Sequence, residues 1–352
     1  MSDRLFFSII VPLYNCEDLV DAMVEHFNEQ TSFDFEVIFV NDGSKDGTLQ
    51  RLMQKLEGAA FAHKVHTQKN AGPGEARNTG MALAAGEYLL FVDADDYLVP
   101  DAIDTLRKSA EETPADVLLF GYHQDFYVTE TELDHRVTVV PDKRVLTGNR
   151  EIVAAVPLLD EKKVFSFACN KAVKRALAAE KAMKFSKRMH SEDYFFYIEL
   201  FHHVQWLAVL DRALYHYIKS PRETLTNQPY LKNFYALITD RYTAMQNLLK
   251  DAGVYAGESA ASAANTHIKH IFSHFSNNCS PFSGLQGREI RQDIQRTLTD
   301  PLTAEALSLA NARSRAQKIM NALLKTKSVW VCYSFAKGVS AMRNSKLFDK
   351  MK

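Results

Sequence analysis

The chain has 352 residues, a formal net charge of −1, 46% hydrophobic and 24% charged residues, which excludes a disordered chain and leaves room for two domains. No run of some 20 apolar residues occurs, so secretion and membrane spanning are not expected. The balanced charge predicts no nucleic-acid partner, and four scattered cysteines suit a cytoplasmic location without a zinc site.

The first part of the chain alternates strand and helix patterns. Short apolar runs, each followed by turn-forming polar residues, predict buried parallel strands at residues 5–11, 35–40 and 88–92. Helical patterns lie between or after them, at about 17–29, 47–57 and 74–85. This alternation predicts an α/β fold with a doubly wound sheet covered on both faces.

The pattern changes further along the chain. A helix is predicted after Pro100, a core strand at 117–120 and an exposed hairpin within 126–146. Residues 149–220 mix helices with short strands, whereas 230–325 has almost no strand signal. We therefore place a domain boundary at residue 225 and predict a helical region over 226–352.

Polar residues follow the three predicted strands at their carboxyl ends. They are Pro12-Leu13-Tyr14-Asn15, Asn41-Asp42-Gly43-Ser44 and Asp93-Ala94-Asp95-Asp96. Open parallel sheets bind ligands in the crevice at this edge, so the three segments should meet in one site.

The acidic turn after the third strand gives the most specific indication of a chemical function. Three carboxylates would repel one another in a low-dielectric site unless protons or a cation neutralised them. Mg²⁺ or Mn²⁺ fits such hard oxygen ligands, with positions left open for diphosphate oxygens. The alternative is that these residues only cap the helix after Pro100. An EF-hand is excluded, because Leu98 occupies its glycine position and Asp104 its glutamate position.

Residues 70–80 combine a Gly/Pro turn with a helix start. The segment lacks the Gly-Lys-Ser/Thr ending of a phosphate loop, and Arg77 stands where a dinucleotide fingerprint requires Gly or Ala. Arg77 could reach a nucleotide or the acidic turn, or it could pair with Asp93 as a structural bridge.

Four motifs, taken together, resemble family 2 glycosyltransferases. They are Val-Pro-x-Tyr-Asn, Val-Asn-Asp-Gly-Ser-x-Asp-Gly-Thr, Asn-x-Gly-x-x-x-Ala-Arg-Asn-x-Gly and Phe-x-Asp-x-Asp-Asp, all within residues 8–100. The resemblance implies a GT-A fold, that is, a doubly wound, Rossmann-like mixed sheet. It also implies an inverting sugar transfer from a nucleoside-diphosphate sugar, usually a UDP-sugar.

The resemblance also implies roles for individual residues. The nucleotide would be bound by Pro12, Tyr14, Asn15, Asp42, Arg77, Asp93 and Ala94. Asp95 would be the direct ligand of Mn²⁺ or Mg²⁺. Residues 1–125 would then bind the nucleotide sugar, and 126–225 would form the acceptor side of one catalytic domain over 1–225.

An inverting transfer needs a general base that takes the proton of the acceptor hydroxyl. The segment His190-Ser191-Glu192-Asp193 resembles the family's Glu-Asp motif at a helix start, which makes Asp193 the candidate base. The alternative is an acidic first helical turn, which the helix dipole favours in any protein. Asn170 and Glu192 would help to shape the acceptor site.

Residues 214–224 resemble the aromatic strand and loop that close over the donor. Lys219 and Arg222 could neutralise the departing diphosphate. His216 is a further candidate metal ligand, although a histidine between two tyrosines also suits strand packing. Many relatives have Arg where this chain has Ile218, which leaves the assignment of the diphosphate contacts open.

The last 40 residues are strongly basic. From Arg313 to Lys352 there are ten Lys or Arg residues and one acid, Asp349. With apolar residues interspersed, this composition is typical of an amphipathic segment that lies on an anionic membrane. Packing on its own domain or on a second subunit is the alternative, so a homo-oligomer stays open.

The sequence thus predicts a cytoplasmic transferase, peripheral on the inner face of the plasma membrane, with a glycan or lipid-linked acceptor. Relatives of this kind build capsule, lipopolysaccharide or other surface polysaccharides. Two alternatives remain: a nucleotidyltransferase, which would need a Gly-rich basic loop where Pro12-Leu13-Tyr14-Asn15 stands, and a nucleotide-sugar-binding scaffold without catalysis.

Overall fold

The structure, a computed structural model, describes residues 5–129, 131–188, 190–221 and 230–343. The chain divides into two compact units. Unit 1 comprises Met1–Val153 and Lys162–Pro221, and unit 2 comprises Ala154–Glu161 and Arg222–Lys352. The domain boundary predicted at residue 225 falls among residues outside the described ranges, and it stays a prediction.

Unit 1 is built on one mixed β-sheet. In chain order its strands are β1 (Phe7–Leu13), β2 (Phe35–Asn41), β3 (Ala62–Thr67), β4 (Tyr88–Phe91), β5 (Tyr97–Leu98), β6 (Val117–Tyr127), β7 (Leu133–Val139), β8 (Arg144–Thr147), β9 (Lys171–Lys174) and β10 (Trp206–Lys219). The sheet order is β3-β2-β1-β4-β9-β6-β10-β5, with β7 paired to β6 and β8 paired to β10.

Strand direction sets where the loops converge. β1, β2, β3 and β4 are mutually parallel, and β6 is parallel to β10. The short strand β9 runs antiparallel to both β4 and β6, so these two strands point the same way. The carboxyl ends of β1, β2, β4, β6 and β10 therefore lie along one edge of the sheet.

Helices accompany the strands of unit 1. They are α1 (Val20–Asn28), α2 (Thr48–Leu56), α3 (Pro73–Leu83), α4 (Ala102–Glu112), α5 (Asn149–Glu161), α6 (Arg175–Glu180) and α7 (Glu192–Phe201). The core strands are apolar and buried over nearly their whole length, as expected when helices cover a parallel sheet. The predicted α/β fold is confirmed.

Unit 2 is helical throughout its described residues. Its helices beyond the end of α5 are α8 (Phe234–Asp251), α9 (Gly257–Asn278), α10 (Gly287–Thr299), α11 (Pro301–Leu309), α12 (Arg315–Lys325) and α13 (Val329–Arg343). The predicted helical region is thereby confirmed over its described part. In that part of the chain no helix combines the length and apolar content needed to cross a membrane.

Candidate active site

The carboxyl ends of β1 and β2 bring the first two predicted segments together. Leu13 lies opposite Asn41 in the parallel register, and the Asp42 amide donates a hydrogen bond to the Leu13 carbonyl at 2.8 Å. Pro12 is half-buried, whereas 48% of Tyr14 is exposed. The Tyr14 ring is thus accessible beside Asp42, as stacking on a planar base would require.

Asn15 joins the turns that follow the two strands. Its backbone amide donates to the Ser44 hydroxyl at 3.1 Å, and its side-chain oxygen accepts from the Lys45 amide at 2.8 Å. Its φ of 46° is a left-handed conformation that asparagine tolerates better than most residues. In this structure Asn15 shapes the loop beside Tyr14.

Asp42 is 4% exposed and holds the loop that precedes α3. Its Oδ1 accepts hydrogen bonds from Gln68 Nε2 at 2.8 Å and the Ala71 amide at 2.9 Å, and its Oδ2 accepts from the Gly72 amide at 2.8 Å. Gly72 has a φ of 92°, which suits glycine. The carboxylate therefore positions the start of α3.

The start of α3 is also attached to the segment before α7. Asn78 and Phe185 exchange two hydrogen bonds, of 2.9 Å and 2.7 Å, between the Asn78 amide group and the Phe185 backbone. A Cβ added at Gly74 would lie 3.0 Å from the Ser186 carbonyl oxygen, so a larger residue would be tightly packed there. These contacts bring α3 next to the first turn of α7.

Arg77, on α3, joins the acidic turn to α7. It is 5% exposed, and its guanidinium bonds Asp93 Oδ1 at 2.8 Å and Glu192 Oε1 at 2.9 Å. Burial opposes the charge, but the two carboxylates outweigh it and raise the pKa of Arg77 above its usual value. The structural bridge to Asp93 is therefore present, and Glu192 is a partner that the sequence did not indicate.

Asp96 is the acidic residue whose role the sequence did not reveal. It is 3% exposed; its oxygens accept hydrogen bonds of 2.7 Å from the Tyr215 hydroxyl and 2.7 Å from the Ile218 amide. Burial, followed by the charges of Asp95 and Asp93, raises the pKa of Asp96 well above its usual value. Asp96 thus fastens the turn to β10.

Asp93 and Asp95 remain half-buried at the crevice. Their charges act together on Asp96, so the turn concentrates negative charge as a cation site does. Among the described residues no group of three or more His, Cys, Asp or Glu side chains is placed to hold a metal ion. Asp93 and Asp95 by themselves would leave most coordination positions of a Mg²⁺ or Mn²⁺ ion to other oxygen ligands.

Asp193 lies in the first turn of α7 and is half-buried. Its Oδ1 accepts a hydrogen bond from the Tyr194 amide at 2.8 Å, and its charge contributes to the raised pKa of Arg77. The candidate base therefore belongs to the same electrostatic cluster as Asp93 and Glu192. Arg77 bonds Oε1 of Glu192, and the acceptor contact of Glu192 stays a prediction.

Lys219, at the end of β10, faces the acidic turn. Its ammonium group donates to the Tyr217 hydroxyl at 2.6 Å. Burial lowers the pKa of Lys219, while the charges of Asp96 and Asp95 oppose that shift. A cation thus stands near the carboxylates where the diphosphate contact was predicted, whereas Arg222 lies outside the described residues.

His216 corrects one prediction from the sequence. Its Nδ1 lies 2.8 Å from Asp125 Oδ2, its ring stacks on Tyr97 at 4.3 Å, and Asp125 also binds Arg136. Side chains alternate between the faces of a strand, so Tyr215 and His216 point to opposite faces. His216 therefore has a packing role and is not placed as a metal ligand.

The structure also corrects the acceptor role that the sequence predicted for Asn170. Asn170 is fully buried, and its amide group donates to the Phe120 carbonyl at 3.0 Å and the Val164 carbonyl at 2.8 Å. Its oxygen accepts from the Lys171 ammonium group at 2.8 Å. With these partners and no exposed surface, Asn170 cannot contact an acceptor and instead stabilises the chain around β9.

A mixed sheet with an acidic turn at the carboxyl end of β4 is the arrangement expected of a GT-A fold. Comparison with known proteins narrows this class, because residues 8–177 match the family model described as glycosyl transferase family 2. Residues 8–177 are therefore similar to the catalytic domain of family 2 glycosyltransferases.

Curated relatives agree with this assignment. The chain is 30% identical over 227 residues to "Uncharacterized glycosyltransferase EpsJ" of Bacillus subtilis (strain 168), covering 63% of each protein. It is 26% identical over 294 residues to "Poly(ribitol-phosphate) beta-N-acetylglucosaminyltransferase TarS" of Staphylococcus aureus (strain Mu50), covering 82% of this chain and 47% of TarS. The chain thus spans less than two thirds of the length of these relatives.

Solved structures support the fold. The crystal structure of S. aureus TarS 1-349 in complex with UDP-GlcNAc is 22% identical, with a TM-score of 0.64, and the match covers 97% of this chain and 93% of that one. At this level of identity the likeness establishes the GT-A fold alone.

Proposed function

We propose that the protein transfers a sugar, with inversion, from a UDP-sugar to a hydroxyl group of a glycan or lipid-linked acceptor during surface polysaccharide synthesis. The observation that carries this proposal is the Arg77 bridge between Asp93 and Glu192. It brings the predicted donor turn and the predicted base, Asp193, into one cluster from distant parts of the chain. A non-catalytic scaffold would not need the donor turn and the base in the same cluster.

The accessible Tyr14 ring and the buried Asp42 carboxylate support a nucleoside site at the ends of β1 and β2. The structural relative TarS was solved with UDP-GlcNAc, and its name gives a poly(ribitol-phosphate) acceptor. By analogy, uridine is the base we assign to the donor.

Asp95, with Asp93 beside it, would hold Mg²⁺ or Mn²⁺. When bound, the ion supplies positive charge that stabilises the leaving nucleoside diphosphate. Lys219 adds a cation of the chain's own at the same place. Arg77 keeps Asp93 and Glu192 in fixed positions, so the charges around the donor are organised before it binds.

Asp193 is the proposed general base. Its carboxylate accepts the proton of the acceptor hydroxyl as that oxygen bonds to the anomeric carbon from the face opposite the diphosphate. The bond from the anomeric carbon to the diphosphate oxygen breaks, and its electron pair leaves with UDP. An α-linked donor therefore gives a β-linked product.

The test compares Asp193→Asn with Asp95→Asn. We expect Asp193→Asn to bind UDP-sugar with normal, metal-dependent affinity but to lose turnover by at least about a hundredfold. Asp95→Asn should lose the metal dependence of donor binding. Calorimetric titration with UDP-sugar, with and without Mn²⁺, and a UDP-release assay measure the two effects.

Asp211→Asn is the matched control, because Asp211 is an exposed acid in the first half of β10. It should change neither property. Normal turnover in Asp193→Asn would refute the assignment of the base, and metal-independent donor binding in the unmodified protein would refute the metal site.

A further inference from the structure

Unit 2 contains a cavity of about 330 Å³ that the transfer reaction does not use. Its lining comes from the end of α9, the following loop, the start of α10 and one face of α13. The described lining residues include the polar side chains of Asn278, Ser280, Ser283 and Gln286. Lys337 is the only charged side chain among them, so the cavity favours an anion over a cation.

Two large aromatic side chains stand exposed beside the cavity. Trp330 and Phe282 are each 63% exposed. Phe282 lies between two lining residues of the loop, and Trp330 shares a face of α13 with Tyr333 and Lys337, at spacings of three and seven residues. A single exposed apolar residue is ordinary, but two aromatic residues adjacent to residues that line one cavity form a distinct surface.

Cations accompany these aromatic rings. The Arg291 guanidinium lies 4.5 Å from the Trp330 ring centroid and 5.5 Å from that of Tyr333. The Lys337 ammonium lies 5.9 Å from the Tyr333 centroid. The nearby acid Glu289 is engaged, since its carboxylate accepts the Gln286 amide at 2.7 Å.

The chain around this surface has the same sign of charge. Between Ala306 and Arg343 the sequence has no acidic residue and seven basic ones: Arg313, Arg315, Lys318, Lys325, Lys327, Lys337 and Arg343. Arg313 is paired with Glu161 and Glu258. The excess of basic residues in this part of the chain is complementary to an anionic membrane, which attracts basic residues near it.

We propose that Trp330, Phe282, Arg291 and Lys337 form a membrane-binding surface for anionic phospholipid, and that the adjoining cavity receives the headgroup phosphate. The aromatic rings enter the interface between headgroups and acyl chains, where Trp is enriched. Lys337, which lines the cavity, binds the phosphate, and Arg291 beside the Trp330 ring adds positive charge to the surface. Membrane binding requires neither the sugar donor nor the general base, so it can be tested separately from the transfer reaction.

Tryptophan fluorescence provides a direct test, because the chain has only Trp206 and Trp330. In a Trp206→Phe background Trp330 is the only reporter. We expect its emission to shift to shorter wavelength when phosphatidylcholine vesicles containing phosphatidylglycerol are added. Pure phosphatidylcholine vesicles should give little shift, and Trp330→Phe, with Trp206 as reporter, should give none.

Charge variants localise the interaction. Lys337→Glu should weaken sedimentation with the anionic vesicles by at least about tenfold, because it reverses a charge beside the phosphate. Lys318→Glu makes the same change at an exposed position on α12 and should weaken it by less than about threefold. Phe282→Ser, also at an exposed position, should reduce both the sedimentation and the Trp330 shift.

Three results would overturn the proposal: equal losses in the two charge variants, an unshifted Trp330 on anionic vesicles, and an equal shift produced by glycerol phosphate or a soluble phosphorylated glycan without lipid. The last outcome would assign the cavity to a soluble anion. Unchanged thermal unfolding of each variant shows that it is folded.

Discussion

Arg77 joins two carboxylates that come from opposite sides of the candidate site. Asp93 follows β4 and Glu192 begins α7, and both bond to the one buried guanidinium. Removing one partner of a buried ion pair leaves the other charges uncompensated, which costs more than the pair itself contributes. The site is therefore stabilised by a residue that need not touch the substrate.

Arg77→Lys tests this role. Lysine keeps the charge but lacks the planar fork that reaches two carboxylates at once. We expect the free energy of unfolding to fall by about 3 kcal/mol and metal-dependent donor binding to weaken. Urea unfolding and donor titration measure the two effects.

Arg51→Lys is the control, since Arg51 pairs with Asp21 on the surface and should tolerate the change. A stable Arg77→Lys protein with normal donor binding would show that the bridge has no organising role.

Where a strand end and a family motif coincide, the sequence predicted the positions of Asp42, Asp93 and Asp95 in the fold, while their roles in the site stay predictions. The role of Asp96 was not predictable from the sequence, because its partner Tyr215 is 119 positions away. The same limit explains His216 and Asn170. Their partners become visible only once β6, β9 and β10 are side by side, and each then proves to be engaged within the fold.

At the scale of elements, strands buried on both faces were the easiest to predict. β1, β2 and β4 are almost continuously apolar, whereas β3 is an exposed edge strand that contains His63, Lys64 and His66. β9 is short and includes the buried Lys171. Periodicity does not mark such strands, because what holds them is pairing with a neighbour. A core strand at 117–120 and a separate hairpin within 126–146 were predicted, but β6 runs from Val117 to Tyr127 and is also the first strand of the hairpin.

Helix α9 is unusual in burying polar side chains along its length, among them Ser262, Asn265 and His267. The His267 ring stacks on Tyr242 at 4.2 Å. Burial lowers the pKa of His267 to about 4, although the charge of Asp300 opposes the shift. His270, one turn later, has its pKa lowered by burial and by Arg241 in the same direction.

This makes unit 2 sensitive to acid. The unfolded chain binds a proton at His267 below its ordinary pKa of about 6.5, whereas the folded chain does not until about pH 4. Stability is therefore complete above about pH 6.5 and falls as the pH drops toward 4, by about 2 kcal/mol between pH 7 and 5.

His267→Phe keeps the ring and removes the proton site, so it should reduce the loss of stability between pH 7 and 5 in urea unfolding. His66→Phe, at an exposed position on β3, should leave the pH dependence unchanged. An unaltered pH dependence in His267→Phe would contradict the explanation.

At the scale of the whole molecule, the proposed donor site lies within unit 1. Tyr14, Asp42, Arg77, Asp95 and Asp193 all precede Pro221. The proposed membrane surface belongs to unit 2, where the basic tail also lies. The two proposed functions therefore occupy different parts of the chain and can be examined in one intact protein.

Hydrogen–deuterium exchange of the full chain tests this separation. Adding UDP and Mn²⁺ should slow exchange in residues 41–48 and 93–96, since a ligand that binds the folded state suppresses local opening around its site. α9, α10 and α13 should exchange at an unchanged rate. Protection confined to those three helices would move the nucleotide site to unit 2.

The hydrogen bonds of Asp42 limit how a nucleoside can be held there. A carboxylate offers about four lone-pair directions, and three are taken by Gln68 Nε2 and the amides of Ala71 and Gly72. A ribose diol that arrived with two hydroxyl donors would find room for only one. Either Asp42 binds a single ribose hydroxyl, or the incoming ribose displaces one of these three hydrogen-bond donors. Displacing the Ala71 or Gly72 amide would loosen the start of α3, the helix that contains Arg77.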